Sequence, residues 1–297
     1  MFKTKVNDDF KFLKENYDKL SVKEISHYYG LSINRIYHKA SEFNLSHKEY
    51  NRKFMSEKSR RYNLNENYFE KIDTEDKAYF LGLLYADGYN QVSVHSVSIQ
   101  LHKKDSEILE KFRGFTNSNS PLFKTKTDNC FRLTFNNLKM SNDLEKLGCI
   151  QKKSKRIRVP KIQMNLLNHF LRGYFDGDGS VFVYRTKIIN KRKDKIYYGL
   201  RFGLNFTGNS KFIKDIYYIL TKQIKSNNAI SLVKENRCEN VSMVNVSGTS
   251  VIKILRFLYK DSSVYMKRKY EKFMLIRRLA DSGLKGKRLV DFMENSP

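Results

Sequence analysis

Phe80-Leu81-Gly82-Leu83-Leu84-Tyr85-Ala86-Asp87-Gly88 and, 91 positions on, Leu171-Arg172-Gly173-Tyr174-Phe175-Asp176-Gly177-Asp178-Gly179 decide the fold. Each is an apolar, helix-like run closed by an acidic residue and a glycine. A small residue recurs four positions on, Gly82 with Ala86 and Gly173 with Gly177, which places both on one helical face. Two such faces can approach more closely than the usual axis spacing of about 8–10 Å. Gly88 and Gly179 suit the left-handed position that ends a helix. Asp87 and Asp178 are then expected at the C-terminal ends of two touching helices. A helix C-terminus already carries roughly half a negative charge, and the two carboxylates would face one another. A cation offsets that repulsion, and Asp oxygens are hard ligands, so the pattern predicts Mg²⁺ held by Asp87 and Asp178.

Both runs resemble the signature of the LAGLIDADG homing endonucleases, over roughly residues 65–280. The second run matches closely. The first has Tyr85 where the pattern has its first acidic residue, and keeps the last acidic position as Asp87. The resemblance implies that Asp87 and Asp178 bind the catalytic metals, and it implies no role for Asp176. It further implies a basic residue beside each centre. The run Gly148-Cys149-Ile150-Gln151-Lys152-Lys153-Ser154 points to Lys153, and Tyr265-Met266-Lys267-Arg268-Lys269-Tyr270 points to Lys269, with Lys267 close behind.

The charge agrees with a polyanionic partner. Of 297 residues, 57 are Lys or Arg against 31 Asp or Glu, a formal net charge of +26. That points to nucleic acid well before a membrane surface, although a codon-biased genome also inflates lysine. Cys130, Cys149 and Cys238 have no metal spacing and fit a reducing compartment. No signal-type segment or membrane-length apolar run is present, so an intracellular protein of cytoplasm, nucleoid or organelle is expected.

Residues 1–45 read as three short helices forming a helix-turn-helix domain. Ser21 and Glu24 make a capping box, Gly30 makes the turn, and Ser32 caps the third helix. That helix is expected to present Asn34, Arg35, His38 and Lys39 to a major groove. Residues 46–64 form a basic linker in which Arg60 and Arg61 are expected to run along phosphates.

From Asn67 the chain repeats itself. A motif helix is followed by alternating strands, a helix, a second strand pair and a closing helix, over 65–160 and again over 161–280. Residues 281–297 read as a loose tail. The fold class is therefore α+β: two pseudo-symmetric αββαββα halves whose antiparallel strands form one saddle-shaped surface. The polar strand positions Ser98, His102, Lys124, Lys126, Arg132, Thr134, Arg185 and Arg201 are expected to contact duplex DNA. Gln100 and Asn205, each five residues before a helix, are expected to position water at equivalent places in the two halves.

A calcium loop at Asp176 fails, because its sixth and twelfth positions are Val181 and Lys187. The six histidines have neither zinc nor triad spacing. An intein is disfavoured by the Met1-Phe2 start and the lack of splicing residues. The expected function is a monomeric endonuclease that binds a long double-stranded DNA site and hydrolyses one phosphodiester per strand with Mg²⁺. The alternatives are a splicing maturase acting on intron RNA and a DNA-binding regulator that does not cleave.

Overall fold

The computed structural model describes residues 10–48, 50–51, 61–125, 129–150, 157–190, 195–224, 229–234, 240–284 and 287–294. Two compact units result, divided between Asn63 and Leu64.

The N-terminal unit holds α1 (Lys11–Asn16), α2 (Val22–Tyr29) and α3 (Ile33–Glu42). The capping box at Ser21 and Glu24 is formed in full, and Gly30 turns the chain at φ +63°. Leu13, Tyr17, Val22, Ile25, Tyr29, Ile36 and Ala40 make its own core. The start of the expected linker is fastened to this unit: His47 bonds the Leu20 carbonyl at 2.8 Å, and the Tyr50 N–H donates to Asp18.

The second unit is built on α4 (Glu75–Asp87) and α7 (Leu167–Asp178). Ala78 to Tyr85 are buried on every side of α4, and Leu167 to Asp176 on every side of α7. Such all-round burial is characteristic of a helix at the centre of a core. The helices touch at their glycines. A methyl at Gly82 would collide with the Phe170 carbonyl, and one at Gly173 with the Tyr79 carbonyl. These two contacts exchange under the 91-residue repeat, so they lie on a pseudo-twofold axis.

Each motif helix leads into a four-stranded antiparallel sheet. After α4 come β1 (Gly88–Gln91), β2 (Ser96–His102), α5 (Ser106–Phe115), β3 (Phe123–Lys124), β4 (Cys130–Asn136) and α6 (Leu138–Lys146). After α7 come β5 (Gly179–Asn190), β6 (Lys195–Asn209), α8 (Ser210–Ile224), β7 (Ile230–Lys234), β8 (Val241–Ser247) and α9 (Ser250–Leu258). The strand orders β1-β2-β4-β3 and β5-β6-β8-β7 are the same topology. In both sheets one face packs on the helices and alternate residues turn outward, which is why Val97, Ile99 and Leu101 are buried while Ser98 and Gln100 are not.

Three expectations change. Gly88 and Gly179 are extended, at φ −85° and −92°, and start a strand rather than a left-handed cap. Glycine is needed there for space, because a Cβ would run into Leu84 or Phe175. The tail is not loose throughout. After α10 (Lys267–Asp281), residues Lys287–Glu294 form α11, with Val290 buried. Gln100 and Asn205 are not equivalent, since Gly88 pairs with Ile99 and Gly179 with Phe206. Gln100 therefore corresponds to Thr207, and Asn205 to Ser98. A 3-10 turn at Lys103–Asp105, inserted only in the first half, shifts any alignment anchored on the following helix. Among the described residues no helix is long and apolar enough to cross a membrane.

Candidate functional site

Asp87 and Asp178 are the last residues of α4 and α7, and both are exposed. A methyl at Gly177 would press on the Ala86 methyl and lie 2.8 Å from Asp87 Oδ2. The Asp87 carboxylate thus leans over the residue next to Asp178. Tyr174, one turn earlier on α7, senses both acids. Burial pushes its phenol well above the usual range, and the negative charges of Asp178 and Asp87 push it further. Its hydroxyl donates to the Thr207 carbonyl at 2.8 Å. Two exposed hard-oxygen donors at one spot suit a small divalent cation. Among the described residues no group of three His, Cys, Asp or Glu side chains is placed to hold a metal. Two carboxylates fit a hard divalent cation that draws the rest of its shell from outside the protein.

Behind the carboxylates the halves differ in chemistry. Asp176 is fully buried and accepts hydrogen bonds from Tyr79 Oη at 2.8 Å, Tyr259 Oη at 3.4 Å and the Met266 N–H at 2.7 Å. Burial raises its pKa, and the nearby Lys269 opposes that. In the first half the corresponding Tyr85 is neutral and donates to the Leu147 carbonyl at 2.5 Å. Asp176 is therefore a core residue that ties α7 to the start of α10.

Lys269, expected as the basic residue beside the second centre, turns its ammonium into the core. It is 3% exposed, and its ammonium donates to the carbonyls of Phe175, Asp176 and Gly179, the latter two at 2.7 Å. Three donors are all an ammonium has. Burial lowers its pKa to about 8. Lys269 thus caps the negative end of α7, beneath the turn that carries Asp178. Lys267 remains exposed, and Lys153 lies outside the described residues. A cleft of about 290 Å³ beside Gly179–Phe182 is lined on its other side by Arg268, Lys269 and Lys272.

One cluster has no counterpart in the expectations. Arg172 is fully buried, donates to the carbonyls of Val264 and Leu258 at 2.9 Å each, and bonds Glu75 at 2.7 Å. Glu75, at the start of α4, also accepts from the Ser263 and Val264 N–H groups. The readable signal was an arginine inside a run whose neighbours are all apolar: Phe170, Leu171, Tyr174 and Phe175.

The outer sheet faces gather some of the expected contact residues and separate others. In the first half Ser98 sits opposite Thr134, Gln100 opposite Arg132 and His102 opposite Cys130, all on the outer face. Arg132 donates to Gln100 Oε1 at 2.7 and 3.1 Å. Lys124 pairs with Phe131 and so belongs to the helix-side face, although its side chain is exposed. In the second half Asn205 and Arg201 face outward, opposite Ser180 and Tyr184. Arg185 sits opposite Leu200 on the other face, its guanidinium 4.2 Å from the Tyr198 ring centre. Lys126 and Arg60 lie outside the described residues, while Arg61 is exposed.

On α3, Asn34, Arg35 and His38 are exposed as expected. Lys39 turns aside, half-buried and ion-paired with Glu42 at 2.5 Å, because that residue lies one turn on.

No protein-family model matches the sequence, and no curated protein matches it either. Solved structures do match. I-SmaMI bound to uncleaved DNA target in the presence of calcium ions has 14% identity and TM-score 0.50, over 75% of this chain and 97% of that one. The LAGLIDADG homing endonuclease I-LtrWI bound to target DNA has 12% identity and TM-score 0.48, over 70% of this chain and 91% of that one. The LAGLIDADG meganuclease I-CpaMI bound to uncleaved DNA has 16% identity and TM-score 0.48, over 71% and 93%. I-SmaMI is itself described as a LAGLIDADG homing endonuclease. The chain has the LAGLIDADG homing endonuclease fold.

Proposed function

We propose that this protein is a double-strand DNA endonuclease whose two half-reactions are carried by Asp87 and Asp178. The observation that carries the reading is the seam. Two helices crossing at Gly82 and Gly173 bring two exposed carboxylates to one place, on the axis that relates the two sheets. A fold with no cation or anion to handle there would have little reason to meet the repulsion twice.

Asp87 and Asp178 would hold divalent cations, Mg²⁺ being the ion that such a two-carboxylate donor set suits. A cation bound there supplies polarisation of the scissile phosphate and a more acidic water. The protein's own part is placement. The glycine crossing sets the carboxylate separation, and Lys269 holds the end of α7 in shape without touching the phosphate. Gln100, oriented by Arg132, and Asn205 lie on the outer faces, where a water or a base edge can be met. Ser98, His102, Arg132, Thr134 and Arg201 would line the duplex. Asn34, Arg35 and His38 of a helix-turn-helix, with Arg61 near the divide, would extend the contact. One chain supplies both carboxylates, so a monomer suffices.

The test is cleavage of a randomised duplex library in Mg²⁺ beside the same library in Ca²⁺. The reading expects discrete, staggered cuts in Mg²⁺ only. Asp178→Asn should lose cutting of the second strand and keep binding within about threefold, since an exposed carboxylate adds nothing to phosphate affinity. Tight binding to duplex with no cutting in any divalent ion would favour the regulator, and preferential binding of intron RNA would favour the maturase.

A further inference from the structure

Asp105 stands at the foot of α5 and does not cap it. Aspartate is among the best capping residues at that position, yet its side chain makes no capping bond. In the second half the residue before α8, Asn209, does the local work and accepts from the Lys211 and Phe212 N–H groups. By strand register Asn209 corresponds to His102. His102 caps the inserted turn, accepting from the Lys104 N–H at 3.2 Å. The cap thus keeps its register position, and Asp105 is an addition brought by the Lys103–Asp105 turn.

That spare carboxylate crosses to the far end of the chain. It is 9% exposed, and Arg268 Nε donates to each of its oxygens at 3.0 Å. Lys111, also on α5, lies 5.9 Å from the Tyr265 ring centre. Arg268 belongs to a short stretch, Met266 to Lys269, that is stitched to the end of α7. The Met266 N–H donates to the Asp176 carboxylate, and Lys269 to the carbonyls of Asp176 and Gly179. Asp178 lies in the chain between those two carbonyls. An ion pair from the first half therefore reaches the stretch that holds the turn of the second centre. The opposite tie exists as well: Asp215 on α8 holds Arg158, in the connector after α6, at 2.6 and 2.7 Å.

We propose that Asp105 is a positioning residue for the cut carried by Asp178. From the first half it fixes Arg268, and with it the stretch whose Lys269 shapes the end of α7, so that the Asp178 carboxylate keeps its place. The inference rests on the endonuclease function proposed above. A shift of about 1 Å at a reacting group can slow a reaction about 100-fold, so a tie this close to one centre should act on one strand.

The experiment follows the two strands separately, each end-labelled, on a duplex drawn from the randomised library, in Mg²⁺ with protein in excess. Asp178→Asn identifies the strand that Asp178 cuts. Asp105→Ala should slow that cut about tenfold or more, keep the other within about threefold and leave duplex affinity unchanged, so that nicked product builds up. Arg268→Ala should act on the same strand, and Asp105→Ala/Arg268→Ala should be no slower than the slower of the two. Asp105→Glu should recover most of the rate. In Asp105→Ala, acetic anhydride should acetylate Lys269 several-fold faster, read by mass spectrometry, while the melting temperature stays within a few degrees. Asp215→Ala, which breaks the opposite tie, should leave the Asp178 strand at the wild-type rate. Equal slowing of both strands, no slowing, or the same slowing from Asp215→Ala overturns the positioning role. Unchanged acetylation of Lys269 overturns the route through it. A wild-type protein that cuts neither strand overturns the endonuclease and this inference together; one that cuts both, with Asp105→Ala indistinguishable from it, overturns the inference alone.

Discussion

Arg172 is fully buried, and a guanidinium in that position is tolerable only with every donor matched. Glu75 is the matching carboxylate, and the two meet across the seam from opposite halves. Glu75→Gln should lower unfolding free energy by about 2 kcal/mol or more, read from urea melts, because it leaves a buried cation without its anion. The acid limb carries the same signature. Burial alone would raise the Glu75 pKa, but hydrogen bonds from Ser263 and Val264 and the Arg172 charge outweigh it and hold it below the ordinary 4.5. Its contribution is therefore present above the unfolded value and lost as pH falls through the lower folded one. Wild-type and Glu75→Gln melts should draw together as pH falls below the ordinary 4.5 and converge once it has passed the lower folded-state value; parallel curves would separate Glu75 from acid stability. Neither residue was legible as a pair, because nothing in the spacing of Glu75 and Arg172 says that they meet. Asp87 and Asp178 were legible, since acid-glycine at the end of an apolar run is a local pattern. Lys269 was legible as special but not as buried. Residue type argues for an exposed lysine, and only the three converging carbonyls reverse that.

At the scale of elements, the motif helices are specified by what they lack. Gly173→Leu should destabilise the protein by about 3 kcal/mol or more, since the colliding atom is the Tyr79 carbonyl and backbone cannot step aside. An unchanged melting temperature would contradict the crossing. Gly177→Ala is the finer probe. Its methyl meets the Ala86 methyl and the Asp87 carboxylate, so strand cutting should fall more than tenfold while stability drops far less than with Gly173→Leu. Equal losses in both assays would make the contact purely structural. The motif helices and the alternation of Val97, Ile99 and Leu101 were readable because period and burial agree there. Lys124 and Arg185 were not, because which face a residue takes depends on pairing register, and a two-residue strand such as β3 announces none. The insertion at Lys103–Asp105 defeated the alignment of Gln100 with Asn205 for a similar reason. The downstream helix was a landmark, but the motif glycine carries the true register.

Over the whole molecule, the unit before Leu64 has its own core and its own caps. Residues 64–297 expressed alone should therefore melt within a few degrees of the corresponding transition in the full chain. If the N-terminal unit touches phosphates, its removal should weaken duplex binding and flatten the salt dependence, by about one unit of log–log slope for each phosphate it had neutralised. An identical slope would take α3 out of the DNA account.

The buried Arg172–Glu75 pair also bears on how the two halves find each other. Under the repeat, Arg172 corresponds to Leu81 and Glu75 to Leu166. Two copies of the second half brought together would seat each Arg172 against a leucine, and two copies of the first half would strand each Glu75. The seam is thus a lock with a single key. If the halves were produced as separate polypeptides, each should stay solitary or aggregate alone and recover a defined heterodimer only on mixing. The gene could then be divided into complementing fragments with no redesign of the joint.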